Sequence, residues 1–80
     1  MAFKLFTEVV LLTDFPEKRL KKGDIATIVD YHPVAAGDDG YTLEVFNALG
    51  ETITTITVSE SKIELLKKNE ILSVRKLSAA

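Results

Sequence analysis

Apolar positions recur along this chain in short alternating runs, not at helical spacing. Tyr41, Leu43 and Val45 fall on one side of an extended segment, and Thr42, Glu44 and Phe46 on the other. A period of two marks a half-buried strand. Comparable runs predict strands over residues 8–13, 25–31, 41–46, 51–58 and 63–66. Phe3, Leu5, Val9 and Leu11 share one parity, as do Ile25, Thr27, Val29 and Tyr31. In the fourth run Ile53 is out of phase with Ile56 and Val58, and a bulge near Thr54 and Thr55 would restore the phase. Residues 59–62 read as one helical turn with Ser59 as its cap. Ile71, Leu72, Ser73 and Val74 make a candidate sixth strand, ending in a frayed Ser78-Ala79-Ala80.

Turn residues punctuate these runs at 14–16, 22–24, 36–40 and 49–50, and Pro33 closes the second strand. Val, Ile and Thr supply 21 of the 80 residues, a composition suited to pleated sheet. The whole chain 1–80 is one all-β domain, with a core over about 7–66 and a C-terminal extension over 67–80. Its size allows roughly 60% of the unfolded surface to be buried. No apolar run approaches the length of a membrane span, and no secretory signal is visible, so a cytoplasmic location is expected.

The order of elements is strand, long charged loop, strand, turn, strand, tight turn, strand, helical turn, strand. It is the order of an SH3-like small barrel of five strands. Val10-Leu11-Leu12-Thr13-Asp14, Leu20-Lys21-Lys22-Gly23-Asp24-Ile25-Ala26-Thr27-Ile28-Val29 and Tyr41-Thr42-Leu43-Glu44-Val45-Phe46 carry a resemblance. They resemble a family of short, uncharacterised bacterial proteins, often cyanobacterial, with an SH3-like fold, over about residues 7–66. The Gly23-Asp24 piece is also similar to the start of KOW-type barrels and of the nitrile hydratase small barrel, with Ala26 where a glycine is common. The resemblance implies a fold and carries over no catalytic or binding residue.

Charge is segregated. Residues 1–22 carry a net +2, residues 23–61 contain no Lys or Arg and carry −7, and residues 62–80 carry +3. Either the basic ends pack around the acidic middle, or that middle faces a partner. Phe46, on the outward face beside Glu44, is the candidate anchor of an acidic protein-binding patch made of Asp14, Phe15, Glu17, Asp38, Asp39, Glu44 and Phe46. The competing candidate is the basic cluster Lys18, Arg19, Lys21 and Lys22, which could contact nucleic-acid phosphates. An isoelectric point near 5.3 and the lack of a stacking platform beyond Phe15 weigh against it. Lys67, Lys68, Arg75 and Lys76 read as a solvated edge.

Catalysis is not expected. There is no cysteine, and the single histidine, His32, has no identifiable nucleophile or orienting partner. Asp38-Asp39-Gly40 is turn chemistry and lacks the ligand spacing of a calcium loop. No metal or cofactor is expected. The expected role is a non-catalytic protein-interaction module, binding or regulating a basic protein as the neutralising member of a pair. The alternative is an RNA- or DNA-binding barrel. Self-association by pairing of a free sheet edge is a further route.

Overall fold

The computed structural model describes residues 3–77, so the expected fraying of 78–80 lies outside the described residues. It is all-β, with five strands and two single-turn 3₁₀ helices. The strands are β1 (Glu8–Leu11), β2 (Ile25–His32), β3 (Gly40–Phe46), β4 (Thr52–Ser59) and β5 (Ile63–Leu65). The helical turns are Pro16–Lys18 in the first loop and Glu60–Lys62 between β4 and β5. The second was expected, but Ser59 makes no side-chain cap to it.

All pairings are antiparallel, in the order β4-β3-β2-β1-β5. That order constrains the shape. In a flat sheet β4 and β5 would lie about 19 Å apart, four strand spacings. The chain from Ser59 to Ile63 reaches about 14 Å even when pulled straight. The sheet is therefore rolled, and its two ends approach each other around the core.

That core is Val9, Leu11, Leu20, Ala26, Ile28, Tyr41, Leu43, Val45, Ile56, Val58 and Ile63, with Phe3, Phe15 and Tyr31 packed against it. Each fully buried Val, Leu or Ile contributes about 1.5–3 kcal/mol relative to exposure. Leu20 belongs to the charged loop, where Phe15 and Leu20 pair backbone to backbone and turn one apolar side chain inward.

Two register shifts decide which side chains face in. In β2, Ile28 pairs with Leu43 and Asp30 with Thr42, leaving Val29 without a partner. This bulge reverses the phase, so Tyr31 comes opposite the buried Tyr41 and shares the face of Ala26 and Ile28. The simple parity that grouped Tyr31 with Ile25, Thr27 and Val29 is corrected by that one extra residue. In β4 the shift falls between Val45–Thr54 and Phe46–Thr52, so the extra residue is Ile53, one position before the expected site.

Residues 66–77 form no strand. The expected sixth strand over 71–74 is absent, and the segment carries only a turn between Lys67 and Glu70 before it reaches Arg75. Ile71, Leu72 and Val74 stay exposed, and the segment joins neither edge of the sheet within the molecule.

Leu43→Ala, at a fully buried site, is expected to cost about 3 kcal/mol. Ile53→Ala, at the bulge, is expected to cost about 0.5 kcal/mol or less. Urea denaturation at constant m-value measures both, and equal losses would contradict the bulge assignment.

Candidate interaction surface

The acidic middle of the chain is not neutralised by the basic ends. Of its carboxylates only Asp24 pairs with an arginine or lysine among the described residues. Asp30 lies 3.9 Å from His32 Nε2, whose stronger contact is Thr42 Oγ1 at 2.7 Å. Thr42 in turn meets Thr57 Oγ1 at 2.9 Å, so His32 stands in an outward polar ladder on β2, β3 and β4.

Several carboxylates are committed to shaping their own loops. Asp39 Oδ2 accepts from the Tyr31 hydroxyl at 2.6 Å, and Oδ1 accepts from the Val34 N–H at 3.2 Å. The Asp39 backbone carbonyl accepts from the Glu60 N–H. The Tyr31 ring leans on Tyr41 with centroids 5.3 Å apart, and Phe3 meets the edge of Tyr41 at 5.4 Å. The Tyr41 hydroxyl accepts from the Phe3 N–H and donates to Glu60 at 3.4 Å, so a fully buried ring keeps its polar end satisfied. The Asp39 hydrogen bond is the main reason the Tyr31 phenol is pushed up to about 12, and the same bond holds the Asp39 carboxyl below its usual value.

The predicted acidic candidates do not converge on one site. Asp38 and Asp39 lie just before Gly40, and Phe46 lies at the other end of β3, about 20 Å along the strand. Glu44 sits between them and accepts from the Thr52 hydroxyl at 2.9 Å. Asp14 and Glu17 belong to the first loop, where Asp14 accepts from the Lys22 N–H at 2.8 Å and Phe15 is half-buried against the core.

What the β3–β4 hairpin exposes instead is a set of apolar side chains. Phe46 and Ile53 are exposed, and Leu49 at the tip is 85% exposed. Asn47 builds the turn: its side-chain oxygen accepts from the N–H groups of Leu49 and Glu51, and its amide donates to Glu51 at 2.8 Å. Gly50 supplies the left-handed residue that closes it, with φ of 84°. Glu44 and Glu51 thus accompany three wet apolar side chains. Leu49 and Ile53 were missed in the sequence because Leu49 read as part of a turn and the bulge expected near Thr54 and Thr55 put Ile53 in phase with Ile56 and Val58.

The basic cluster occupies the first loop, with Lys18, Arg19, Lys21 and Lys22 all exposed. The Asp24 carboxylate organises this end. It accepts from the Lys21 N–H at 2.8 Å and forms a two-point pair with Arg75, Nε to Oδ1 at 2.8 Å and Nη2 to Oδ2 at 2.5 Å. Arg75 Nη2 also donates to the Arg19 carbonyl at 3.1 Å. Arg75 is therefore an anchor between the tail and the loop, a correction to its reading as part of a solvated edge. Burial pushes the Asp24 carboxyl up, but hydrogen bonds from Arg75 and Lys21 and their charges outweigh it and hold it below its usual value. An open groove of about 330 Å³ runs here between Asp14, Pro16, Arg19, Leu20, Lys21, Arg75 and Lys76.

Among the described residues no three His, Cys, Asp or Glu side chains are grouped to hold a metal ion, and no helix is long and apolar enough to cross a membrane. A family model described as a domain of unknown function, DUF4926, matches residues 5–65, and the chain belongs to that family. Neither the curated proteins nor the solved structures give a match.

A phenolate titration of the native protein is expected to place Tyr31 near pH 12, with Asp39→Asn moving it back towards 10. Because the Tyr31 value is raised and the Asp39 value lowered, their contribution to stability is full between the ordinary carboxylate range and pH 10, is lost as pH rises towards about 12, and is lost again in acid as Asp39 protonates. A Tyr31 titration indifferent to Asp39→Asn would dismiss the bond.

Proposed function

We propose that this member of the DUF4926 family is a non-catalytic SH3-like interaction module of the bacterial cytoplasm, which holds a basic protein against its β3–β4 hairpin. The observation that carries this reading is the hairpin itself, with Phe46, Leu49 and Ile53 exposed on a segment that includes Glu44 and Glu51 and no cation. A few desolvated aromatic and aliphatic anchors supply most of the affinity of such a surface. The surrounding carboxylates steer a basic partner and select against acidic ones. The small size and the lack of converging polar groups also favour binding over chemistry.

A second reading draws on one observation. Folding brings Arg75 and Lys76 beside Arg19 and Lys21 in the groove of about 330 Å³. Nucleic-acid phosphates suit such a row of cations, although Asp14 lines the same groove and Asp24 already claims Arg75.

The test is affinity capture from the native lysate, followed by titration of the captured partner. The interaction reading expects a basic protein whose binding weakens with salt, and about tenfold or more on Phe46→Ala. Glu44→Lys should slow its association. Capture of the same proteins by wild type and both variants would sink it. The second reading expects a mobility shift with RNA, and a salt slope reduced by about one for Lys21→Ala. RNA left unshifted at low salt removes that reading.

A further inference from the structure

The sheet ends on one side in a strand with unusually little protection. β4 is eight residues long, carries neither charge nor proline, and pairs only with β3 among the described residues. Natural edge strands are normally shortened or guarded by lysine, proline or inward charge, because their free N–H and C=O groups invite another strand. The opposite end of the sheet follows that rule, since β5 has three residues and carries Glu64.

The same chain also displays an unpaired segment of strand-forming sequence. Ile71, Leu72 and Val74 are 92%, 68% and 88% exposed. Residues 71–74 make no hydrogen bond to any other described residue. The tail does not close down on the sheet. A crevice of about 270 Å³ remains between Leu66, Glu70, Ile71 and Leu72 on one side and Val10 and Ile25 on the other. Yet the segment is held at one end, because Arg75 is clamped on Asp24.

We propose that residues 69–76 of one copy pair, backbone to backbone, with the free edge of β4 in a second copy of this chain. Charge identifies the occupant. β4 is bracketed by Glu51 and Glu60, nine positions apart, or eight once the bulge at Ile53 is discounted. The tail segment is bracketed by Lys68 and Lys76, eight positions apart. A cation therefore flanks each end of the tail segment as a carboxylate flanks each end of β4, so opposite charges meet at both ends whichever way the strands run. Lys67 and Arg75 already have partners, Glu64 at 2.7 Å and Asp24, so Lys68 and Lys76 supply the attraction. Pairing inside one molecule is opposed by the Arg75 clamp on Asp24 and the Arg19 carbonyl, which holds the tail against the first loop and beside Val10 and Ile25. The contact uses the backbone edge of β4 and leaves the Phe46 side chain out, so it stands apart from the hairpin reading.

Sedimentation of the full-length protein over a concentration series tests it, at low and high salt. The wild type is expected to dimerise reversibly, more weakly in high salt. Ser73→Pro removes a donor in a segment with no secondary structure to lose. Thr55→Lys places a guarding cation on the β4 edge. Each should raise the dimer dissociation constant about tenfold or more, while the thermal melt stays cooperative and Phe46→Ala leaves dimerisation unchanged. A wild type that remains monomeric throughout overturns the proposal. So does a dimer abolished by Thr55→Lys but indifferent to Ser73→Pro, which would signify β4 pairing with itself, and so does a dimer indifferent to both.

Discussion

The constraint on which this structure rests is a short connection between distant strands. β4 and β5 stand at opposite ends of the strand order, and three residues of 3₁₀ helix join them. A sheet so tethered has to roll, and rolling gives it an inside. Only then can one face of five short strands enclose eleven side chains with no buried polar residue among the described ones. The Val29 bulge serves the same end. It bends β2 where its pairing with β1 has ended and that with β3 continues, and it brings Tyr31 round to lean on Tyr41.

The strands were legible because alternation survives in a chain this short. Tyr41, Leu43 and Val45 are buried as their parity requires, and Gly23 and Gly50 mark two turns with positive φ. The bulges were only partly legible. Ile53 announced a phase error, but where the extra residue sits depends on the partner strand. Val29 gave no warning, since valine is ordinary in either phase. Leu20 looked like one apolar residue in a loop of charges, and its burial depends on the pairing of Phe15 with Leu20. The C-terminal tail was misread because strand propensity was judged without asking which edge of the sheet it could join within the molecule.

The candidate surfaces show the same division. Phe46 was correctly marked as outward, from parity alone. Its neighbours were not, because Asp38 and Asp39 are close to it in sequence but lie at the far end of the strand. Asp14, Asp24 and Asp39 look equivalent in a charge count. In the structure each accepts backbone or side-chain donors that hold a loop in place. Carboxylates that accept backbone N–H groups are poor candidates for a docking rim; Asp38, and Glu44 and Glu51, which accept only from the side chains of Thr52 and Asn47, are the better ones.

The Arg75–Asp24 clamp gives the tail an electrostatic meaning as well as a mechanical one. Residues 1–66 hold six basic and eleven acidic side chains, a net −5, and residues 67–80 carry +3. Clamped, the tail is a tethered counterion that brings the whole to −2. Unclamped, it uncovers a carboxylate and strips three positive charges from the body at once. The same eighty residues can thus offer a basic visitor two quite different fields, and the choice between them depends on one guanidinium.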